Sequence, residues 1–178
     1  MLGKAGNFAA FQLGWWASVL GAAHDRPWLG PLVVSLLLGI HLWQVLHAWR
    51  ALRFILVVGL LGATIDSALG HLGLLVFRDS LFASWLCPPW LIALWMIFAT
   101  TLQSSLSWLG GRCWIAALLG GIFGPVSYYA GQELGSLSLG NPVQVALASV
   151  SVLWAVLLPW LVWWAAEEIG ERAVSLGT

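Results

Sequence analysis

The segment FILVVGLLGATIDSALGHLGLL, residues 54–75, decides the fold class of this chain. It is long enough to cross a membrane, since a transmembrane helix needs about 20 consecutive, predominantly apolar residues. Its one carboxylate, Asp66, lies near the middle. A carboxylate at the centre of a membrane helix costs roughly 2.5 to 3.5 kcal/mol on insertion scales, so such residues usually have a function. The segment therefore predicts a membrane-spanning helix in which Asp66 has a specific role.

The composition of the whole chain agrees with this reading. Of its 178 residues, 61% are hydrophobic and 8% are charged, whereas soluble domains carry about 25% charged residues. We expect an integral membrane protein with a single transmembrane domain over residues 1–178 and no separate soluble domain. The formal net charge is zero, which offers no basic field for nucleic acid as a partner. Membrane lipids are the expected surroundings.

Apolar runs between charged or Pro/Gly-rich breaks predict six transmembrane helices with short connections. They are expected near residues 7–23, 28–47, 54–75, 88–108, 113–132 and 142–165. Strands are not expected, because the runs show no alternation of polar and apolar residues and are about twice as long as barrel strands. The predicted fold class is therefore all-α, a polytopic helical bundle.

The basic residues predict the orientation of this bundle. Five fall on one side of the predicted membrane and two on the other. The five are Lys4, Arg50, Arg53, Arg112 and Arg172, and the two are Arg26 and Arg78. Because Lys and Arg are enriched in cytoplasmic loops, both termini are expected in the cytoplasm.

Glycines predict which way Asp66 points. On the third helix Gly59, Gly62, Asp66, Gly70 and Gly73 are separated by 3, 4, 4 and 3 residues, the spacing that stacks side chains on one helical face. Stripes of small residues mark close helix packing in membranes. Asp66 is therefore expected to face the bundle interior, either as a hydrogen-bonded packing contact or as part of a site.

Four other polar residues are expected at a depth comparable to Asp66. They are His41 and Gln44 on the second helix and Thr100 and Gln103 on the fourth. Together with Asp66 they form the candidate substrate-binding or proton-coupled set, in which Asp66 and His41 would exchange a proton or orient a substrate. The alternative for each uncharged group is a packing hydrogen bond of about 0.6 kcal/mol.

The fifth helix carries a second stripe of small residues, interrupted by Pro125. The stripe consists of Ala117, Gly121, Gly124, Tyr128, Gly131 and Gly135. Proline lacks the N–H that would bond the carbonyl four residues earlier, so a kink with a free Gly121 carbonyl is expected. Such a kink is either a broken-helix site, as in transporters, or a close-packed bend. Residues 1–80 and 81–165 show no inverted repeat of the kind common in transporters.

No residue pattern identifies a catalytic group, a metal site or a cofactor. His41, His47, Asp66 and His71 are spread along their helices and are not expected to converge on a metal. The chain has no Gly-x-Ser-x-Gly elbow and no glycine-rich phosphate loop. Enzymatic activity is left open, with a non-enzymatic role favoured.

Three motifs resemble a bacterial inner-membrane family catalogued as a domain of unknown function. They are NFxxFQxGW at residues 7–15, PWLxxLWxxFATTLxxSLxWL at 89–109 and GGxxGPxxYxAG at 120–131. The resemblance covers most of the chain and implies a multi-pass protein of the bacterial inner membrane. Families of this kind are often encoded beside lipid-modifying enzymes, which implies a role in the handling of membrane lipids.

The leading functional expectation is the binding or transport of a lipophilic or weakly polar small molecule or lipid. One alternative is an intramembrane lipid-modifying enzyme or its membrane subunit. Another is a scaffold whose glycine stripes dock a second copy or a membrane partner.

Overall fold

A computed structural model describes residues 3–77 and 86–176, with side chains described as far as residue 168. Arg78 and the side chain of Arg172, both used in the orientation argument, lie outside the described part of the chain. The described residues form six α-helices. They are α1 (Lys4–Ala23), α2 (Leu29–Gln44), α3 (Ala48–His71), α4 (Pro89–Leu102), α5 (Cys113–Glu133) and α6 (Val143–Leu176). The predicted all-α class is thereby confirmed.

Three of these helices are long and apolar enough to cross a membrane, by length and composition. They are α3, α5 and the part of α6 from Val143 to Glu168. The helices α2 and α4 are apolar but shorter, with 16 and 14 residues.

The fourth helix ends earlier than the sequence predicts. It stops at Leu102 and not near residue 108, and a short 3-10 turn over Ser107–Leu109 follows. The carbonyl of Thr101 accepts the backbone N–H groups of Ser104 and Leu106, so the chain turns back at this point. The polar residues after Leu102 therefore do not continue the helical face of Thr100.

The short helix α4 lies at the centre of the bundle and contacts α1, α2, α3 and α6. Residues on all its sides are buried, among them Trp90, Trp95, Ile97 and Leu102. A helix that is apolar all round is stable only when it is enclosed. The remaining two helices, α5 and α6, pack against each other as an antiparallel pair.

Two short strands join the ends of α3 and α5, although no strand was expected. They are β1 (Leu75–Phe77) and β2 (Leu137–Leu139), paired antiparallel with Val76 opposite Ser138. The two strands meet at one end of the bundle, which we call the strand end. Because each strand directly follows its helix, α3 and α5 run in the same direction towards this end.

Each of these two helices ends in the same type of turn. Gly73 follows α3 with φ +69°, and Gly135 follows α5 with φ +86°. The N–H of Leu74 bonds the carbonyl of Leu69, and the N–H of Ser136 bonds that of Gly131. This 6→1 bond with a left-handed glycine is the Schellman motif, a conformation that glycine adopts without strain.

Helix α3 with its turn and β1 forms one unit, and α5 with its turn and β2 forms a second. These two units also match in sequence when they are aligned in parallel. Gly59, Gly62, Asp66 and Gly73 of the first unit correspond to Gly121, Gly124, Tyr128 and Gly135 of the second, always 62 residues later. The protein thus contains a parallel repeat of helix, glycine turn and strand. It is not an inverted repeat, since the two units run in the same direction.

Candidate functional site

Asp66 is fully buried and both of its carboxylate oxygens accept a hydrogen bond. The Tyr128 hydroxyl on α5 donates to Oδ1 at 2.5 Å, and the Trp95 indole N–H on α4 donates to Oδ2 at 2.6 Å. The prediction that this carboxylate faces the bundle interior agrees with its 0% exposure. Asp66 therefore links α3, α4 and α5 through two hydrogen bonds at the bundle centre. These bonds are charge-assisted when the carboxylate is ionised and neutral when it is protonated.

The two tryptophans beside this pair are accommodated by the glycine stripes. A Cβ at Gly62 would lie inside the Trp95 ring, and one at Gly124 would lie 2.5 Å from Cγ of Trp154. The two indoles stack at 5.0 Å between centroids with 12° between planes. Each repeat thus places a glycine under a tryptophan, and the tryptophans meet face to face beside the Asp66–Tyr128 bond.

The proline in α5 removes one backbone hydrogen bond, as predicted, but the Gly121 carbonyl is not left free. Pro125 cannot donate to the carbonyl of Gly121, and the Ser151 hydroxyl on α6 donates to that carbonyl at 2.7 Å. The backbone oxygen that could have bound a ligand therefore has a partner. Of the two alternatives offered by the sequence, this bond favours close packing over a broken-helix site.

Of three further glycines predicted to serve helix packing, two lie against a neighbouring side chain and one lies in a turn. Gly59 faces Met96 on α4, where a Cβ would lie 2.7 Å from the Met96 side chain. A Cβ at Gly70 would lie 3.1 Å from the Phe77 ring of β1. Gly73 lies beyond the helix in the turn described above, so it permits the turn and not helix packing.

Thr100 belongs to a second polar network, away from Asp66. The Asn7 amide donates to the Thr100 hydroxyl at 3.0 Å, and the Ser105 hydroxyl donates to the Asn7 Oδ1 at 2.8 Å. Thr100 in turn donates to the Ile97 carbonyl at 2.8 Å. This network ties the start of α1 to the end of α4.

The other three predicted site residues are partly buried. His41 and Gln44 lie on α2, and Gln103 follows the end of α4. The proton-exchanging pair of Asp66 and His41 stays a prediction, as does the joint site of all five residues. The groups that do bind the carboxylate, Trp95 and Tyr128, were not in the predicted set.

An apolar cavity of about 580 Å³ lies near this centre, between α1 and α5. Its floor contains Trp95, Tyr128 and Trp154, and α1 forms one wall from Phe8 to Val19. At 1.5 Å per residue this wall is about 16 Å long. We call this cavity the lateral slot, because it opens between two helices on the side of the bundle.

The rim of the lateral slot is exposed. Phe8 and Trp16 on α1 are 50% and 47% exposed, and Phe123 and Val126 on α5 are 61% and 53% exposed. These four side chains also line the cavity. If α1 and α5 cross a membrane, the slot opens towards lipid hydrocarbon and not towards water.

Asp66 does not line the lateral slot, and neither do His41, Gln44, Thr100 and Gln103. The carboxylate instead holds two side chains of the floor, Trp95 and Tyr128, by their polar atoms. Asp66 therefore contributes to the cavity by positioning these two side chains. The matching offset of Asp66 and Tyr128 on two glycine stripes was the sequence signal that could have revealed this pairing.

The described residues contain no group of three or more His, Cys, Asp and Glu side chains that could hold a metal ion. Cys87 is buried before α4, and Cys113 is exposed at the start of α5. The chemical resources of the site are thus apolar surface, aromatic rings and a few hydrogen-bonding groups.

These features define an all-α protein with three helices able to cross a membrane and an apolar cavity between its helices. The chain belongs to the family DUF2878, described as a protein of unknown function, whose family model matches residues 4–160. No curated protein and no solved structure matches the chain.

Proposed function

We propose that this protein is a multi-pass protein of the bacterial inner membrane, with six crossing helices and both termini in the cytoplasm, that binds a lipophilic molecule in the lateral slot. The occupant is a hydrocarbon chain of a membrane lipid or a molecule of similar shape. The observation that carries the proposal is the slot itself, an apolar cavity of about 580 Å³ that opens on the side of the bundle. Small-molecule sites usually measure about 300–1,000 Å³.

The length of the slot supports a chain-like occupant. The hydrocarbon core of a bilayer is about 30 Å thick, so one leaflet contributes about half of this. The α1 wall from Phe8 to Val19 measures about 16 Å along the helix axis. A single extended chain from one leaflet therefore matches the slot in length.

The position of the opening supports access from the bilayer. The exposed rim residues Phe8, Trp16, Phe123 and Val126 are all apolar. A ligand that enters between α1 and α5 does not have to cross a polar or aqueous region, which suits a molecule already dissolved in the membrane.

In this proposal Asp66 is a positioning residue. It accepts hydrogen bonds from Trp95 and Tyr128, so these two floor side chains present their apolar faces and not unpaired N–H or O–H groups. An unpaired polar group in a membrane-embedded floor would cost about 1–3 kcal/mol.

Photocrosslinking tests the proposal directly. The purified protein is reconstituted in nanodiscs containing a phospholipid with a diazirine in one acyl chain, and the crosslinked residues are mapped by mass spectrometry. We expect labelling concentrated on residues that line the slot. Labelling spread evenly over the lipid-facing surface would contradict the proposal.

A matched pair of variants sharpens this experiment. Ala130 lines the slot on α5, whereas Ala148 is an exposed residue of α6 that does not line it. We expect Ala130→Phe to fill the slot and reduce its labelling several-fold, and Ala148→Phe to leave labelling unchanged. Thermal melting of both variants verifies the fold. Unchanged slot labelling in a folded Ala130→Phe protein would overturn the proposal.

A further inference from the structure

Gln12 is a polar residue in the wall of the lateral slot that the proposed function does not use. It lies on the α1 face that lines the slot, between Phe8 and Phe11 on one side and Trp15 and Trp16 on the other. Its side chain is exposed. A primary amide with two donors and an acceptor is thus presented to an otherwise apolar, aromatic surface.

Within residues 3–77 and 86–168 the Gln12 amide has no hydrogen-bond partner. Several other polar side chains of the helices are paired. Thr64 and Ser67 donate to the carbonyls four residues earlier, and Asn7 bonds Thr100 and Ser105. Gln12 differs from these residues in having no such partner within the described part of the chain.

The depth of Gln12 makes this unusual. It lies eight residues after Lys4, or about 12 Å along the helix axis. In a crossing α1 this places the amide near the middle of the hydrocarbon core of about 30 Å, where no water is available. An amide without a partner in such surroundings costs several kcal/mol, so a partner from outside the described chain is expected.

We infer that the lateral slot binds a lipophilic molecule bearing a carbonyl oxygen, which accepts a hydrogen bond from the Gln12 amide. The inference rests on the proposed function and names the chemical class of its ligand. The aromatic pairs on either side of Gln12 favour a flat, unsaturated group. Phe8 and Phe11 lie 6.5 Å apart between ring centroids, and Trp15 and Trp16 lie 5.0 Å apart.

Two kinds of membrane molecule supply this chemistry. One is a quinone ring with a hydrocarbon tail, which is flat and carries two carbonyl oxygens. The other is an acyl chain with a keto group along its length. Both would place an acceptor oxygen at Gln12 and the remaining hydrocarbon along the floor of Trp95 and Trp154.

The test compares matched probes with and without the carbonyl oxygen. Decyl-benzoquinone is paired with decylbenzene, and a phospholipid with a 10-oxo acyl chain is paired with its saturated parent. Equilibrium binding is measured to the full chain in nanodiscs for the native protein, Gln12→Leu and the control Gln144→Leu. Gln144 is an exposed residue of α6 that does not line the slot.

We expect the carbonyl probe of at least one pair to bind the native protein and Gln144→Leu about 3- to 10-fold more tightly than its partner, as one net hydrogen bond predicts. Gln12→Leu should lose this preference and keep the affinity for the carbonyl-free probe. If only the first pair shows this preference, the ligand is assigned as a quinone. If only the second pair shows it, the ligand is assigned as a keto acyl chain.

Other outcomes overturn the inference. If both members of each pair bind equally, or the preference survives in Gln12→Leu, the carbonyl contact is wrong while the proposed function stands. If Gln12→Leu changes the sedimentation mass from dimer to monomer, the partner of the amide is a second copy. If no probe binds the native protein, the proposed function fails as well.

Discussion

Asp66 and Tyr128 occupy matching positions in two repeated units 62 residues apart, and they are bonded to each other at 2.5 Å. In each unit this residue lies four positions after the glycine that packs against a tryptophan. It lies seven positions before the glycine with positive φ. One repeat contributes an acceptor and the other a donor. The bond therefore joins the two repeats, and it depends on their having different residues at this position.

Replacing Asp66 by leucine should destabilise the protein more than replacing it by asparagine. Leucine leaves the Trp95 N–H and the Tyr128 O–H without an acceptor, at about 1–3 kcal/mol for each. Asparagine can accept from Trp95 and donate to the Tyr128 oxygen. The free energy of unfolding in detergent measures the difference. Equal losses for both variants would show that hydrogen-bond pairing is not what Asp66 supplies.

A triple variant provides the control for this prediction. Changing Trp95 and Tyr128 to Phe in the Asp66→Leu background removes every polar group of the cluster. Because unpaired donors are costlier than an apolar substitute of similar shape, stability should recover in part. A triple variant that is less stable than Asp66→Leu alone would contradict this account.

Gly62→Ala should be strongly destabilising, and Gly39→Ala should not. A Cβ at Gly62 would collide with the Trp95 ring, whereas a Cβ at Gly39 on α2 meets no atom within 4 Å. Displacing the ring breaks its stack with Trp154 and its bond to Asp66, so we expect a loss of about 2 kcal/mol or more. Gly39→Ala should stabilise by up to about 1 kcal/mol through helix propensity. Melting temperatures of the two variants in the same detergent decide the matter.

Ser151 and Pro125 should be energetically coupled. Ser151→Ala leaves the Gly121 carbonyl without its donor and should cost about 1–3 kcal/mol. In a Pro125→Ala background the new backbone N–H can bond Gly121, so the same change should cost less. A double-mutant cycle measures the coupling. Ser35→Ala, at an exposed position of α2, serves as the control, and additive losses in the cycle would argue against the coupling.

Cysteine labelling tests the proposed orientation. Cys113 is exposed at the start of α5 and Cys87 is buried, so a membrane-impermeant maleimide should react at Cys113 alone. With the termini in the cytoplasm, we expect labelling in inside-out vesicles and not in intact spheroplasts. Cys113→Ser should abolish the signal. Labelling from the spheroplast exterior would place the start of α5 outside and reverse the proposed topology.

Helix number and the inward direction of Asp66 followed from the sequence because both depend on periodic local patterns. Apolar runs gave six helices, and the glycine spacing gave the buried face. The early end of α4 is not encoded in such a pattern. The backbone N–H groups of Ser104 and Leu106 both bond the Thr101 carbonyl, and Ser105 bonds Asn7 across 98 residues of chain. Gln103, Ser104 and Ser105 follow Leu102 without a proline or glycine, so the sequence alone does not show where the helix stops.

The partners of Asp66 were not found because helix rotation and lateral neighbours are not encoded locally. Depth alone selected Thr100 and Gln103, whereas Trp95 lies earlier on α4 and faces Gly62. Nothing in the local sequence distinguishes the stacked pair of tryptophans at the centre from exposed ones such as Trp114. The sequence pattern that corresponds to this pairing is the matching position of Asp66 and Tyr128 on two parallel glycine stripes.

The two walls of the lateral slot are anchored in different ways. The α5–α6 side is tied to α3 and α4 at three levels, by the strand pair, the indole stack and the bond between Asp66 and Tyr128. The α1 wall rests on α2 and α4 through small residues, with its polar anchor at Asn7 near its first turn. The stiffness of the slot is therefore asymmetric. We therefore expect an occupant that widens the slot to displace α1 more than the α5–α6 wall.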